Sequence, residues 1–96
     1  MSASTSNSSG EKTADGVIVA YGTLLCGVNI ITNASVDATV ILYDNASAAS
    51  GTKVFEGGCV GADLNKTVWF DRPIRCKNGL YLDIGGTGAS AIIYTG

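Results

Sequence analysis

Short apolar runs, separated by glycine and small polar residues, follow one another along most of the chain. From residue 16 onward they are rich in valine, isoleucine, threonine and aromatic residues, and they cover 16–22, 24–32, 38–43, 52–56, 66–70, 73–76, 80–84 and 91–95. These residue types favour β-strands, whose side chains alternate between two faces. No apolar set recurs with the helical spacing i, i+3, i+4, i+7 over a useful length. The pattern predicts an all-β protein with essentially no helix.

Several runs carry apolar groups on both faces. In ATVILY (38–43), alanine, valine and leucine alternate with threonine, isoleucine and tyrosine, and LLCGVNIIT (24–32) is similarly two-sided. A monomeric β-sandwich normally directs polar residues outward. The second apolar face therefore predicts a cover, provided by the N-terminal segment, a neighbouring subunit or another partner.

The first 15 residues differ from the rest. They contain five serines within the first ten positions and no large apolar residue beyond Met1. A segment of this kind buries too little apolar surface to fold by itself. We predict a flexible, extended N-terminal arm at 1–15 and one domain at 16–96, a small antiparallel β-sandwich, jelly-roll-like, with about seven or eight short strands.

One hairpin can be predicted in detail. A three-residue loop at 77–79 pairs Cys76 with Leu80 and keeps the apolar positions of both strands on one face, with Gly79 in the left-handed conformation. Pro73 is expected at a strand start, where its missing N–H donor does least harm.

A longer connection runs from Asp44 to Gly51. Asp44 and Asn45 are expected to hydrogen-bond nearby backbone, and the small residues that follow predict a surface loop at one end of the sandwich. Such loops are typically plain connectors, and ligand binding is the alternative.

Charge limits the partners. Charged residues make up 15% of the chain, the net charge is −2, and the six basic residues are scattered apart from RPIRCK at 72–77. Binding of nucleic acid through phosphates needs clustered lysine and arginine, so no nucleic-acid partner is predicted. RPIRCK is typical of the polar face of a strand, with contact to an acidic partner as the alternative.

No apolar stretch approaches the ~20 residues that cross a bilayer, so no membrane partner is predicted. The N-terminus also lacks the basic start and apolar centre of a secretory signal. We expect folding in the cytosol, unless a leader has been removed.

The three cysteines, Cys26, Cys59 and Cys76, are odd in number and lack CxxC spacing, and the chain has no histidine. A metal site is therefore not predicted. Cytosolic synthesis favours free thiols packed in the core. A Cys59–Cys76 disulfide, or a disulfide between subunits, is the alternative that the sequence leaves open.

Catalytic groups are hard to find. Without histidine, Ser-His-Asp and Cys-His arrangements are excluded. Asp63, Asp71 and Asp83 are candidate groups for acid-base catalysis on a sugar. Each of them, however, falls at a turn or strand exit, where an exposed acid is expected without any catalytic role. The glycines of GGTG (85–88) lack the lysine and hydroxyl residue of a phosphate-binding loop. We predict no catalytic residue, no cofactor and no metal, and hence a non-enzymatic protein.

Trp69 and Phe70 are neighbours on one run, so one is expected to face the core and the other to face outward. We expect the outward ring to be buried beneath a loop or against a partner chain. Stacking on a sugar, or anchoring of a subunit contact, is the alternative.

The order of three segments, GVNIITN (27–33), ATVILYDNASAASGTKVF (38–55) and VWFDRPIRCKNGLYLDIGGTGASAIIY (68–94), resembles a small β-sandwich module of tailed-phage virion proteins. The resemblance covers about three quarters of the chain, Leu24 to Tyr94. It implies a bacteriophage virion structural protein, foremost a capsid decoration or cement protein that is assembled in the host cytoplasm. It also implies binding to the major capsid protein or another virion structural protein, and it provides no catalytic or ligand residues. We expect a homo-oligomer, and specifically a trimer.

The alternative from another class is a receptor- or carbohydrate-binding knob or fibre component of the virion. It would use the loops at 44–51 and 85–90 and would have exposed aromatic residues near their tips. Tyr43 and Tyr94 are the candidates.

Overall fold

The computed structural model describes residues 7–33 and 36–96, which form two four-stranded antiparallel sheets packed together. A short 3₁₀-helix, Gly61–Asp63, is the one helical element among these residues. The strands are β1 (Asn7–Lys12), β2 (Gly16–Val19), β3 (Thr23–Ile31), β4 (Ala38–Tyr43), β5 (Lys53–Cys59), β6 (Asn65–Cys76), β7 (Leu80–Gly85) and β8 (Ser90–Thr95).

The strand order is β1-β8-β3-β6 in one sheet, called sheet A, and β2-β7-β4-β5 in the other, called sheet B. The first strand pairs with the last, the second with the second-last, and so on, giving the pairs β1–β8, β2–β7, β3–β6 and β4–β5. These pairs belong alternately to sheet A and sheet B. This is the topology of an eight-stranded jelly roll. The predicted fold class is confirmed.

The core lies between the sheets and is formed by alternate residues of the central strands. The largest fully buried side chains are Leu25, Val28, Ile30, Val40, Leu42, Cys76, Leu80, Leu82 and Ile93. In β4 the buried and less buried positions alternate as the sequence predicts, and the strand has the predicted bounds.

An irregularity in β3 changes which side chains face inward. In a regular strand, residues three positions apart face opposite sides of the sheet. Leu25 and Val28 are nevertheless both fully buried, because the register with both neighbouring strands shifts at Cys26. On the β6 side, Leu25 pairs with Ile74 and Gly27 pairs with Trp69. Residues 70–73 of β6 therefore bulge opposite Cys26.

This bulge explains the position of Pro73. The predicted runs 66–70 and 73–76 form one 12-residue strand, so the prediction that Pro73 starts a strand is wrong. Proline is tolerated here because β6 is an edge strand and Pro73 lies in its bulge, where no ladder donor is needed.

The predicted hairpin at 77–79 is also wrong, because β6 belongs to sheet A and β7 to sheet B. Cys76 and Leu80 are both fully buried, as predicted, but they face the shared core from opposite sheets. The connection is held by Asp44, whose carboxylate accepts hydrogen bonds from the backbone N–H groups of Lys77 (3.1 Å) and Asn78 (2.8 Å). Gly79 has a positive φ of 149°.

Part of the predicted arm lies on the domain itself. β1 pairs with β8 at the edge of sheet A, where Ser9 Oγ accepts a hydrogen bond from Ile93 N (2.9 Å) and Ser90 Oγ donates one to Glu11 Oε2 (2.6 Å). Residues 1–6 of the arm lie outside the described residues. The arm's flexibility and its boundary at residue 15 stay predictions.

Candidate functional site

The candidate acids lie on three separate elements. Asp63 is in the 3₁₀-helix, Asp71 is in the bulge of β6, and Asp83 is on the outer face of sheet B. Within residues 7–33 and 36–96, no group of three or more His, Cys, Asp or Glu side chains could hold a metal ion.

The loops of the sandwich gather at two opposite ends. Residues 36–37, 60–64 and 85–89 lie at one end, called the Leu64 end, since Ile31 and Ser90 pair there and Thr39 pairs with Gly85. Residues 44–52 and 77–79 lie at the other, called the Asp44 end. The loops at 44–51 and 85–90, predicted together as a binding surface, are therefore at opposite ends and do not form one site.

Three apolar side chains are exposed at the Leu64 end. The exposed fractions are 37% for Val36, 57% for Val60 and 52% for Leu64. Hydrogen bonds connect the segments that carry them, since Gly61 N donates to the side-chain Oδ1 of Asp37 (2.9 Å) and Leu64 N donates to Gly61 O (3.3 Å). This end of the sandwich thus presents three apolar side chains to solvent on neighbouring segments.

The backbone beneath this surface is strained. Leu64 has φ 68° and ψ −47°, the only positive φ of a non-glycine residue within the described ranges. Such angles are close to those of a strained γ-turn and cost on the order of 1–3 kcal/mol. The buried Thr32 holds the turn, because its N–H donates to Leu64 O (2.7 Å) and its hydroxyl donates to Gly61 O (3.0 Å).

Sequence reasoning missed the Leu64 end. The one available signal was the presence of Val60 and Leu64 in a segment, 60–65, that otherwise reads as a polar connection. The strained conformation depends on Thr32, which is distant in sequence, so no local pattern indicates it.

The outer face of sheet A carries an aromatic pair. Trp69 on β6, Gly27 on β3 and Tyr94 on β8 are cross-strand neighbours, and the rings of Trp69 and Tyr94 have centroids 4.8 Å apart and planes inclined at 33°. The side chain of Trp69 is 59% exposed. Phe70 faces the other way, as predicted, and packs edge-to-face on Phe55 in the core.

Polar groups lie in the adjacent row of the same face. Asn29 pairs with Thr67 and with Ile92, and Thr67 Oγ1 donates a hydrogen bond to Asn29 Oδ1 (3.1 Å). Glu11, opposite Ile92, extends the row onto β1. The two rows together place aromatic rings beside amide, hydroxyl and carboxylate groups.

The outer face of sheet B is also mixed. Tyr43 pairs with Tyr81 and Lys53, and Tyr81 pairs with Val17, which is an exposed residue of the edge strand β2. Lys53 Nζ lies 3.3 Å from the Glu56 carboxylate. The predicted aromatic candidates Tyr43 and Tyr94 thus lie on opposite faces of the sandwich.

The loop at 44–51 is an ordered connector. The Asn45 side chain folds back as predicted, since its Oδ1 accepts hydrogen bonds from Ser47 N (2.8 Å) and Ala48 N (2.9 Å) and its Nδ2 donates one to Ser50 O (3.1 Å). Asp44 instead holds the connection at 77–79.

The GGTG segment is a turn between β7 and β8. Ala89 N donates to Gly86 O (3.1 Å), and Asn33 Nδ2 donates to Thr87 O (2.7 Å).

A cavity of about 320 Å³ opens beside the Asp44 end and includes two basic residues of the RPIRCK segment, Arg75 and Lys77. The other lining residues are Gly22, Thr23, Leu24, Cys76 and Gly96. These residues do not include a carboxylate side chain or a histidine, so they provide no pair of groups for acid-base chemistry.

All three thiols are free. Cys59 and Cys76 are buried, as predicted, whereas Cys26 is only half-buried because it lies at the irregularity of β3. Burial and, to a smaller extent, the nearby Asp44 carboxylate together raise the pKa of the Cys76 thiol from 9.0 to about 11. Cys76 is therefore a protonated core residue at neutral pH.

Comparison of the chain with protein-family models, with curated proteins and with solved structures found no match. Within the described ranges there is no helix that is long and apolar enough to cross a membrane.

Proposed function

We propose that this protein is a non-enzymatic structural protein of a bacteriophage virion, a capsid decoration or cement protein that binds the head lattice and stabilises it. The observation that carries the proposal is the Leu64 end, an exposed apolar surface on a strained backbone.

Strain and exposure at one residue point to an intermolecular contact. A leucine in the Leu64 conformation costs the isolated domain on the order of 1–3 kcal/mol, and its side chain gains little because half of it is in water. Contact with a partner would reverse this balance, since full burial of a valine or leucine side chain contributes about 1.5–3 kcal/mol. The partner in this proposal is the major capsid protein or another virion structural protein.

Attachment by one end leaves the sheet faces available. We propose that copies associate as trimers through the outer face of sheet B, where Val17, Tyr81 and Tyr43 form an apolar and aromatic row. Linked copies bind a repeated lattice by avidity, so a modest affinity per subunit is sufficient. The mass of the purified protein, measured by light scattering, tests this step, and a monomer at all concentrations would contradict it.

The fold is compatible with the proposal but does not carry it. Jelly rolls occur in viral capsid and lectin domains, and one fold hosts many unrelated functions. The Leu64 end, and not the fold, therefore supports the proposed function.

The first experiment tests whether the protein is part of the virion head. Antibodies against the chain, applied to particles purified from cells that carry the gene, should label heads by immunogold. Particles prepared without the protein should bind added purified protein in a sedimentation assay and then release their DNA at a higher temperature.

Two leucines provide a matched comparison. Leu64→Ala should weaken sedimentation with heads about tenfold or more, whereas Leu24→Ala, at an exposed leucine outside the Leu64 end, should leave it unchanged. Absence of the protein from particles, or equal binding by both variants, would overturn the proposal.

A further inference from the structure

The aromatic pair Trp69–Tyr94 lies on the outer face of sheet A, away from the Leu64 end. We propose that the Trp69–Tyr94 pair and the polar row beside it form a binding site for a neutral glycan. This inference is independent of the lattice contact, because it uses other residues.

The Trp69 ring is held in place from below and from one side. Its Cε3 and Cζ3 atoms lie over Gly27, so closely that a Cβ at residue 27 would stand 2.5 and 2.8 Å from them. The Tyr94 ring, on β8, lies beside the indole, with the two ring centroids 4.8 Å apart. Glycine in the middle of a strand weakens the strand and often marks a place where another group approaches the backbone closely.

The remaining face of the ring is available to a ligand. Although Gly27 and Tyr94 cover part of it, 59% of the Trp69 surface stays exposed. The face of an aromatic ring carries a partial negative charge and attracts the weakly positive C–H groups of a sugar ring. A pyranose therefore has a rigid, flat surface on which to stack.

Hydrogen-bonding groups lie at a distance that suits a sugar. Outward side chains on one strand are spaced by two residues, about 7 Å, so the Asn29–Thr67 pair lies within one sugar length of the aromatic row. Thr67 donates to Asn29 Oδ1, which directs the amide N–H groups of Asn29 to other acceptors. Glu11, on the same row, adds a carboxylate acceptor.

The size of the two rows suits a small glycan. They cross four strands about 4.8 Å apart and lie about 7 Å from each other. A glycan of one to three residues covers a surface of this size.

The charge of the face favours a neutral ligand. Its two rows, from β6 to β1, consist of Trp69, Gly27, Tyr94 and Ser8 in one and Thr67, Asn29, Ile92 and Glu11 in the other, without a basic residue. Single-stranded nucleic acid also stacks on aromatic rings, but its backbone needs a positively charged groove. An anionic sugar would be repelled by the Glu11 carboxylate.

The test begins with the full chain on an array of neutral and acidic glycans. Positive neutral glycans are then titrated by calorimetry against the wild type and three variants. Trp69→Ala and Tyr94→Ala should each weaken binding at least tenfold, and Tyr21→Ala, at an exposed tyrosine elsewhere, should leave it unchanged. Thermal unfolding confirms that each variant is folded.

The chain has one tryptophan, so fluorescence provides a second readout. A bound glycan should shift the Trp69 emission to shorter wavelength and protect it from acrylamide quenching. If Tyr94→Ala does not fold, Asn29→Ala serves in its place.

Three results would overturn the inference. They are an array without neutral hits, binding that Trp69→Ala leaves intact, and binding restricted to acidic glycans. Because the array uses isolated protein and the lattice assay uses heads, either proposal can fail without the other.

Discussion

Gly27 lies directly beneath the indole ring of Trp69, and the two residues are cross-strand neighbours in sheet A. The ring occupies the space that a side chain at residue 27 would need. Two strands that meet only in the folded sheet thus determine the position of the most exposed aromatic pair on its outer face.

Gly27→Ala is expected to displace this ring. The added methyl group would stand 2.5 Å from Trp69 Cε3, so the indole must move away, at a cost in unfolding free energy of about 1–3 kcal/mol. The emission maximum of the single tryptophan should move to longer wavelength as the ring becomes more hydrated. Gly16→Ala is the control, since a Cβ there meets nothing within 4 Å. Unchanged emission in Gly27→Ala would contradict the geometry.

Leu64→Gly is expected to stabilise the isolated domain while weakening its contact with the head. Glycine adopts a positive φ without steric cost, so the strain at residue 64 disappears, and the gain is partly offset by the greater freedom of glycine in the unfolded chain. We expect a net gain of about 0.5–1 kcal/mol in urea unfolding.

The matched control for that gain is Leu24→Gly, at an exposed leucine on a strand. It should lower the unfolding free energy by about 1 kcal/mol, because glycine weakens a strand interior. A loss of stability in Leu64→Gly would show that the conformation of Leu64 is not strained.

Asp44→Ala is expected to loosen the connection between the two sheets. It removes the acceptor of two backbone hydrogen bonds, from Lys77 and Asn78, and should lower the unfolding free energy by roughly 1–2 kcal/mol. It should also bring the pKa of the Cys76 thiol closer to 9.0, because the Asp44 charge contributes to its rise.

Urea unfolding and the pH dependence of thiol alkylation measure the two effects. Asp71→Ala, at an exposed acid in the bulge of β6, should change neither. If Asp44→Ala lowered stability without affecting the reactivity of Cys76, the electrostatic contribution to its pKa would be refuted.

The sequence predicts strands better than it predicts their partners. Alternation within β4 is a local property and indicates both its bounds and its buried face. The partner of β6 is not local. Pairing Cys76 with Leu80 across a hairpin and placing them on opposite sheets of one core satisfy the same period-two pattern, and only the complete topology distinguishes the two arrangements.

Irregular backbone limits prediction in the same way. One shift at Cys26 reverses the inward and outward positions of β3, so counting residues from Leu25 would place Val28 on the wrong face. The candidate sites depend on such details. The sequence indicates Trp69 and Tyr94 only as separate aromatic candidates. Because β3 lies between their strands, their contact depends on the strand order β8-β3-β6.

Stability is expected to fall above pH 9 because of Cys76. In the unfolded chain the thiol ionises near pH 9.0, whereas in the folded protein it keeps its proton to about pH 11. Between these values the folded state binds more protons, so the unfolding free energy decreases as pH rises, with a slope approaching about 1.4 kcal/mol per pH unit. Urea unfolding from pH 8 to 11 should show a shallower slope for Cys76→Ala than for the wild type. Equal slopes would contradict the raised pKa.

Removal of β1 is expected to expose a reactive sheet edge. A chain that begins at Asp15 keeps the hydrogen bond from Ile84 N to Asp15 Oδ1 (2.8 Å) but loses the contacts of β1 with β8. The backbone of β8 then becomes an unpaired edge, which favours association with other chains. Light scattering should give a larger mass for this chain than for a chain that begins at Asn7, and urea unfolding should show a lower stability. Identical mass and stability would mean that β1 adds nothing to the sheet and would support a passive arm.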